Sequence, residues 1–430
     1  MTSNKNRRSR YTALAGLSVS AVLMTACSSP DVPGSDGSEG SSSGKMNVGV
    51  LLPFTGEYSW VGENVDEVVQ MIINDQVNPS GGIGGQDVVI VLGDEEGTVD
   101  GGVLAARKLA NTDQVLAFIG PTSLSFTGVR QVIVDTKTPM VSPAAGTVEL
   151  DSAGEEYFHR AVPSDSLGGK AIAKAISEAE ELLEGESFET VSLMVGDAPA
   201  LVSFEEPIQA AMEEYGTPLA KSVRYSVNRE SYRSEVSDIL GDDPDMIILV
   251  GSPADSAKVM AQAQQNGYDG SWFVTQDQTN AEYIELAGAD VVEGVYGLQE
   301  AAPEAAADLR ETFTEALGHD PDIFQTNAYD AVNLTVLAMY LADKEDGEVT
   351  RATVDARLED VANPEDGDVV VTSWEEGKAA IDAGDGIDYQ GLSGPVDFDE
   401  FGNITAPFDI LQVQSGEFAP VSVIQADELQ

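Results

Sequence analysis

The residues best placed to do chemistry in this chain of 430 residues are small, neutral and polar, and they gather where apolar runs stop. Val115–Ile119 ends in Gly-Pro-Thr-Ser, and Met140–Val141 ends in Ser-Pro-Ala-Ala-Gly-Thr. Ser123, Ser125, Ser142 and Thr147 supply hydroxyls there, in turns shaped by Gly120, Pro121 and Pro143. Hydroxyls and backbone amides suit a ligand carboxylate or amide, one acid suits an ammonium, and aromatic side chains suit an apolar remainder. Reactive chemistry has no comparable basis. Cys27 is the only cysteine, and His159 and His319 are the only histidines, with no His or Cys neighbour at metal-ligand spacing. His159, between Phe158 and Arg160, reads as a structural histidine in a strand. There is no G-x-S-x-G elbow and no phosphate loop, and no base accompanies Ser123 or Ser142. Asp385 and Asp388 lack the spacing and distal Glu of a calcium loop. The residues therefore favour binding, with no enzyme activity, metal or cofactor.

The elements that must carry these loops follow from periodicity. Between the two apolar runs, Phe126, Val129, Ile133 and Val134 recur at helical spacing, which predicts strand, helix, strand. Wholly apolar strands flanked by helices belong in a parallel sheet, and open α/β sheets bind ligands beyond the carboxyl ends of their strands. The rhythm begins with a strand over Val48–Leu52, a loop holding Tyr58 and Trp60, and a helical face of Val61, Val65, Val68, Val69, Ile72 and Ile73. The glycine run in Asn78–Gly85 follows a helix and precedes a strand, the reverse of a dinucleotide fingerprint, so it only turns the chain. A second series starts at Ala171. Its strands are Val191–Val195, ending in Gly196-Asp197; Lys221–Val227; Met246–Val250, ending in Gly251-Ser252-Pro253; and Trp272–Thr275, ending in Gln276-Asp277. Further helices are expected over Ala328–Leu341 and Val354–Val361, and a solvated hairpin with acidic turns over 366–390.

Charge excludes one class of partner. The chain has 74 Asp and Glu against 22 Lys and Arg, a formal charge of −52, and binding nucleic acid needs the reverse. The acids are spread through every segment, and the apolar periodicity excludes disorder as their cause. A dispersed acidic surface of this kind resembles proteins of salt-loving microbes, where screening blunts self-repulsion.

The N-terminus has the build of a signal peptide: Lys5, Arg7, Arg8 and Arg10, an apolar run over Ala13–Leu23, then Met24-Thr25-Ala26-Cys27. These last four resemble the lipobox of prokaryotic lipoproteins, with Met24 in place of Leu. That resemblance implies cleavage after residue 26 and a lipid on Cys27. Arg7-Arg8 also resembles a twin-arginine signal, which leaves the export route open. Residues 28–44, rich in Gly and Ser, read as a flexible tether. Asn333 and Asn403 each begin a glycosylation sequon.

Taken in order, VGVLLPFTGEYSWVG, NPSGGIGG, FIGPTS, VSPAAGT, YFHRAVPSDSLGG, TNAYDAVNLTVLAM and YQGLSGPVDFDEFGN resemble the type 1 periplasmic binding proteins. The similarity is to the branch that serves ABC importers of leucine, isoleucine, valine and amides. It implies an α/β fold of two Rossmann-like lobes with parallel sheets and three inter-lobe crossings, expected near Val162, Gly297 and Ala406. Lobe one would comprise 46–162 and 298–405, and lobe two 163–297 and 406–430, after a signal peptide (1–26) and a tether (27–45). The ligand, a small polar solute such as an amino acid or amide, would lie in the cleft between them. The resemblance puts Ser123, Leu124, Ser125, Ala144, Ala145 and Thr147 on the ligand's backbone groups, with Gly146 where relatives often carry Thr. It maps Asp277 to the acid that meets an ammonium, and brings in Tyr58 and Trp60 as a cover and Asp197 and Ser252 from the second lobe. Relatives often have a tyrosine after Gly196-Asp197, where this chain has Ala198-Pro199-Ala200. The implied partners are an ABC permease and ATPase, with the membrane reached through the lipid on the outer face of the cytoplasmic membrane. A ligand sensor signalling through a partner protein is the alternative.

Two outcomes are expected. Cleavage before Cys27 removes four basic residues and no acid, taking the formal charge to −56. Because the Debye length shrinks from ~10 Å at 0.1 M to ~3 Å at 1 M, the melting temperature should rise markedly up to molar salt, and a flat response would remove the halophile reading. Cys27→Ser should move the protein from the membrane fraction to the medium; unchanged retention on cell fractionation would sink the lipid anchor.

Overall fold

The computed structural model describes residues 45–152 and 157–429, so Cys27, the signal peptide and the tether lie outside the described residues. The first strands follow the expected rhythm: β1 (Met46–Leu52), β2 (Val88–Asp94), β3 (Ala117–Ile119), β4 (Met140–Ser142) and β5 (Phe158–Arg160). They pair in parallel in the order β2-β1-β3-β4-β5. Apolar residues pack on both faces of this sheet, which is why its central strands are mostly apolar. One face is covered by the helix Ser59–Ile72 and by Gln325–Leu341, which returns from far along the chain and is buried along almost its whole length.

A second sheet holds β6 (Val191–Gly196), β7 (Lys221–Tyr225), β8 (Met246–Val250), β9 (Ser271–Val274) and β10 (Tyr296–Glu300). Between β10 and the last strands comes a separate parallel pair, β11 (Val369–Val371) and β12 (Ile387–Tyr389). The last strands, β13 (Phe408–Gln414) and β14 (Glu417–Ile424), add antiparallel to β10, giving the order β14-β13-β10-β9-β8-β6-β7. This sheet also has apolar packing on both faces. The chain is thus α/β, with two sheets dominated by parallel pairing.

Three expectations need correction. Residues 366–390 form no hairpin: β11 and β12 run parallel, joined by the helix Trp374–Ala383, whose Trp374 is buried and reaches Ser80 Oγ (2.9 Å). Burial of that tryptophan organises the segment, which the density of acids in the sequence conceals. The strand begun at Lys221 ends at Tyr225. Gly297 lies in mid-strand, paired with Val274 and Leu411, so the chain leaves the second sheet only after Glu300.

The segments between the sheets are bonded together. Ala301 N donates to Pro407 O (2.9 Å), and Asn327 Nδ2 bridges Ala161 O (2.9 Å) and Glu300 Oε2 (2.8 Å). Glu300 is half-buried there with a buried, unpartnered Oε1, and the desolvation pushes its carboxyl up to about 8. His159 is buried against Phe398, and burial lowers its pKa to about 4, as befits a structural histidine. The sequon residues Asn333 and Asn403 are both buried, and the Asn403 amide donates to Asp151 O (3.2 Å) and Asp399 Oδ2 (3.1 Å).

Candidate functional site

The loops at the carboxyl ends of β3 and β4 are built from the inside. Glu95, just after β2, is fully buried and accepts from Thr122 N (3.3 Å), the Thr122 hydroxyl and Ser125 Oγ (2.7 Å). Burial outweighs these bonds and lifts its carboxyl to about 7. Gly120 opens the first loop at φ +109°, where a Cβ would meet Leu51 O at 2.0 Å, so only glycine fits. Ser142 Oγ donates to Pro121 O (2.6 Å), and Thr147 N donates to Ser123 Oγ (3.1 Å), tying the two loops together. From below, buried Arg160 donates through Nη1 to the carbonyls of Gly146 (3.0 Å) and Thr147 (3.1 Å), and through Nη2 to Asp151 (2.6 Å).

These loops form one wall of a pocket between the two sheets. Tyr58, Trp60 and Val61 contribute from the start of the first helix, Thr122, Ser123 and Leu124 from the β3 loop, and Ala144 and Gly146 from the β4 loop. Phe324 joins them from the N-terminal end of the helix Gln325–Leu341. It sits in the left-handed region at φ +67° and stacks on Trp60 at 6.1 Å with planes 10° apart. Strain at a non-glycine residue of this kind gathers at ligand clamps. The facing wall is Asp165, Ala200, Phe204, Gln276 and Asp277. The cavity measures about 50 Å³; at roughly 10–15 Å³ per water, it holds only a handful.

Of the residues singled out in the sequence, Tyr58, Trp60, Ser123, Leu124, Ala144 and Asp277 line this pocket. The others do not. Ser125 is buried with its hydroxyl taken by Glu95, and Ala145 is buried with its carbonyl turned to Arg160. Thr147 faces a neighbouring groove with Val148 and Ser203. Asp197 is held at the strand end by its N–H to Tyr225 O (2.8 Å). Ser252 caps the helix Pro253–Gln265, accepting from Asp255 N (3.3 Å). Asp165 and Phe324 were missed. Asp165 had a local signal, an acid after Ser164 at a helix start, but that pattern ordinarily means capping alone. Phe324 had none beyond being aromatic before an apolar helix.

Asp165 also explains why residue 146 is glycine. A Cβ at Gly146 would lie 2.2 Å from Asp165 Oδ1, so the carboxylate occupies the space a side chain would need. Burial lifts Asp165 to about 7, against the pull of Ser203 and Arg160. Asp277 is pushed up to about 6, also by burial. Overpacking typically costs about 1–3 kcal/mol. Gly146→Ala is expected to lose stability at the low end of that range, because a side-chain tip can yield, and most of the loss should vanish in an Asp165→Ala background. Urea denaturation of the four proteins of this cycle checks it; equal losses in both backgrounds would refute the contact.

Comparison with known proteins agrees with this architecture. The chain is 27% identical over 373 residues to the chemotactic signal transduction system substrate-binding protein BasB of Halobacterium salinarum, covering 82% of this chain and 83% of that protein. It is 23% identical over 309 residues to the leucine-, isoleucine-, valine-, threonine- and alanine-binding protein of Pseudomonas aeruginosa, covering 70% and 80%. The fold is shared with the leucine-binding protein LivK of Thermotoga maritima (TM-score 0.73, 22% identity, 89% of this chain and 99% of that one). It is shared equally with LivJ of Streptococcus pneumoniae, solved with isoleucine (TM-score 0.72, 18% identity, 89% and 100%). Residues 45–417 match the family described as periplasmic binding protein. Two parallel-dominated sheets with loops gathered around a pocket between them accord with that match, and the chain belongs to the periplasmic binding protein family.

Proposed function

We propose that this chain is the solute-capturing subunit of an ABC importer, closing its two lobes over a small polar ligand, an amino acid or amide, in the cleft between the sheets. The observation that carries the reading is the pocket itself, lined from both sheets and including Asp277, so that one ligand touches both lobes. A ligand held by both walls binds the closed arrangement better than the open one, which is the differential affinity that hinge closure needs. The bonded segments around Ala161, Glu300 and Pro407 are the natural hinge. The names of the relatives from Pseudomonas and Brucella support a branched-chain or similar amino acid as the cargo. Lipidation of Cys27, with residues 28–44 as the tether, would hold the domain at the outer face of the cytoplasmic membrane beside its permease.

A second reading has a specific observation behind it. The halobacterial relative is named for chemotactic signalling, so the loaded protein would instead dock on a signal transducer. Deleting the chain separates the two, since an importer subunit abolishes uptake of its solute and a sensor subunit abolishes attraction to it while leaving uptake intact.

Truncating one partner of a buried, hydrogen-bonded charge pair costs about 2–5 kcal/mol, or roughly thirty- to several-thousand-fold in affinity. Asp277→Ala is therefore expected to nearly abolish binding of an amino acid and to weaken an uncharged amide far less. Calorimetry of both proteins against a panel of amino acids and amides checks this. An unaffected amino-acid affinity would retire Asp277 as the ammonium ligand, and a panel with no binder at all would retire the cargo class.

A further inference from the structure

The charges around the pocket narrow the class of solute. Asp165 and Asp277 both line it, and among the described residues lining it there is no lysine, arginine or histidine. Asp165 is 6% exposed, and although the Ser203 hydroxyl hydrogen-bonds its carboxyl group, Oδ2 is left without a partner. A buried carboxylate oxygen without a donor is costly, so this atom is shaped to meet a donor that arrives from outside. Arg160, the nearest cation, is committed elsewhere, to the carbonyls of Gly146 and Thr147 and to Asp151.

Three backbone donors of the β3 and β4 loops are engaged within the loops themselves. Leu124 N donates to Thr122 Oγ1 (3.2 Å), Ala144 N to Ser142 Oγ (3.2 Å) and Thr147 N to Ser123 Oγ (3.1 Å). Gly146 offers no hydroxyl, and Asp165 fills the space where one would stand. Four aromatic side chains, Tyr58, Trp60, Phe204 and Phe324, line the same pocket, and aromatic faces attract cations.

We propose that the cleft selects a small organic cation carrying net positive charge, met by Asp165 and Asp277 between aromatic side chains, over a zwitterionic amino acid of the same shape. This rests on the cleft being the solute site. A zwitterion brings a carboxylate that two acids repel and no cation of the pocket wall receives, whereas an amine brings only the group those acids favour.

The pH dependence has a definite sign. In the empty pocket burial holds Asp165 near about 7 and Asp277 near about 6. Asp151 and Asp277 push Asp165 up further, and Ser203 and Arg160 oppose them. Beside Asp277, burial and the acids Asp277, Glu57 and Asp255 keep the Tyr58 phenol neutral. A bound cation favours the ionised acids, so binding should release protons, and affinity should fall as pH drops from 8 to 5.

The test uses three probes with one side chain: 3-methylbutylamine, leucinamide and leucine, with tetramethylammonium and agmatine as cations of other shapes. Calorimetry is run on the full mature chain at molar salt, in buffers of different ionisation enthalpy. The expected result is that at least one cation binds tenfold or more tightly than leucine, with proton release on binding and weakening at low pH. Asp165→Asn should shrink the ratio of amine to leucine affinity toward one while the melting temperature shows the variant folded. Leucine binding as tightly as every cation would overturn the inference and leave the cleft as an amino-acid site. Should no cation of the series bind, the inference fails as well, while the proposed function is judged separately on whether any amino acid or amide binds.

Discussion

The arrangement depends most on a single buried cation. Arg160 ends the last strand of the first sheet, is 1% exposed, and gathers the carbonyls of Gly146 and Thr147 together with the carboxylate of Asp151. A guanidinium taken out of water is tolerated only with such partners, and its planar fork holds them in one geometry. Asp151 in turn accepts from Ser166 Oγ (2.5 Å) in the first turn of the helix Asp165–Ser177, where Asp165 N donates to Gly146 O (2.7 Å). One side chain therefore sets the β4 loop, the first passage toward the second sheet and the position of the pocket's own acid. Removing it would leave the carbonyls of Gly146 and Thr147 without their donor and half-buried Asp151 without its cation, though Ser164 and Ser166 would still donate to that carboxylate.

The buried acids divide by how well they are satisfied. Glu95 and Asp330 are fully buried but surrounded by donors: Thr122 and Ser125 around one, Tyr389, Leu392 and Ser393 around the other. They fasten loops to the first sheet. Asp165 and Glu300 each keep an oxygen with no partner, and they lie at the pocket and among the segments that join the two sheets. An unsatisfied polar atom is a liability in a static core. Beside a pocket it can instead be an acceptor held ready, and the strained Phe324 stacked on Trp60 lines the same pocket as Asp165.

On the outside the same surplus of acid has another role. With 74 acids against 22 bases, most surface carboxylates have no cation to pair with, and surface ion pairs such as Lys221–Asp238 and Arg357–Asp346 are partly exposed. Exposed pairs contribute little to stability. Both sheets instead rest on their apolar faces, and the surface repulsion is left to the solvent to screen.

What the sequence determined by itself is the set of elements and their kind. Apolar runs such as Met246–Val250, helical faces such as Val61–Ile73, and turns such as GPTS and SPAAGT are local patterns, and local patterns carry strand, helix and loop. Their alternation was enough for two parallel-dominated sheets with loops gathered at the carboxyl ends of the strands. It did not reveal which loop residues face the cleft. Ser123 and Ser125 look alike in sequence, yet Glu95, 30 residues upstream of Ser125, takes the hydroxyl of that one and leaves the other on the pocket wall. Gly146 looked like a missing ligand group until the fold brought the Asp165 carboxylate against it. The acidic stretch 366–390 hid a helix because burial of Trp374 depends on Ser80 and Tyr340, which no local pattern connects to it. Periodicity is written within a few turns of chain; the direction of a buried polar side chain is decided by whichever distant donor or acceptor reaches it, and only tertiary packing decides that.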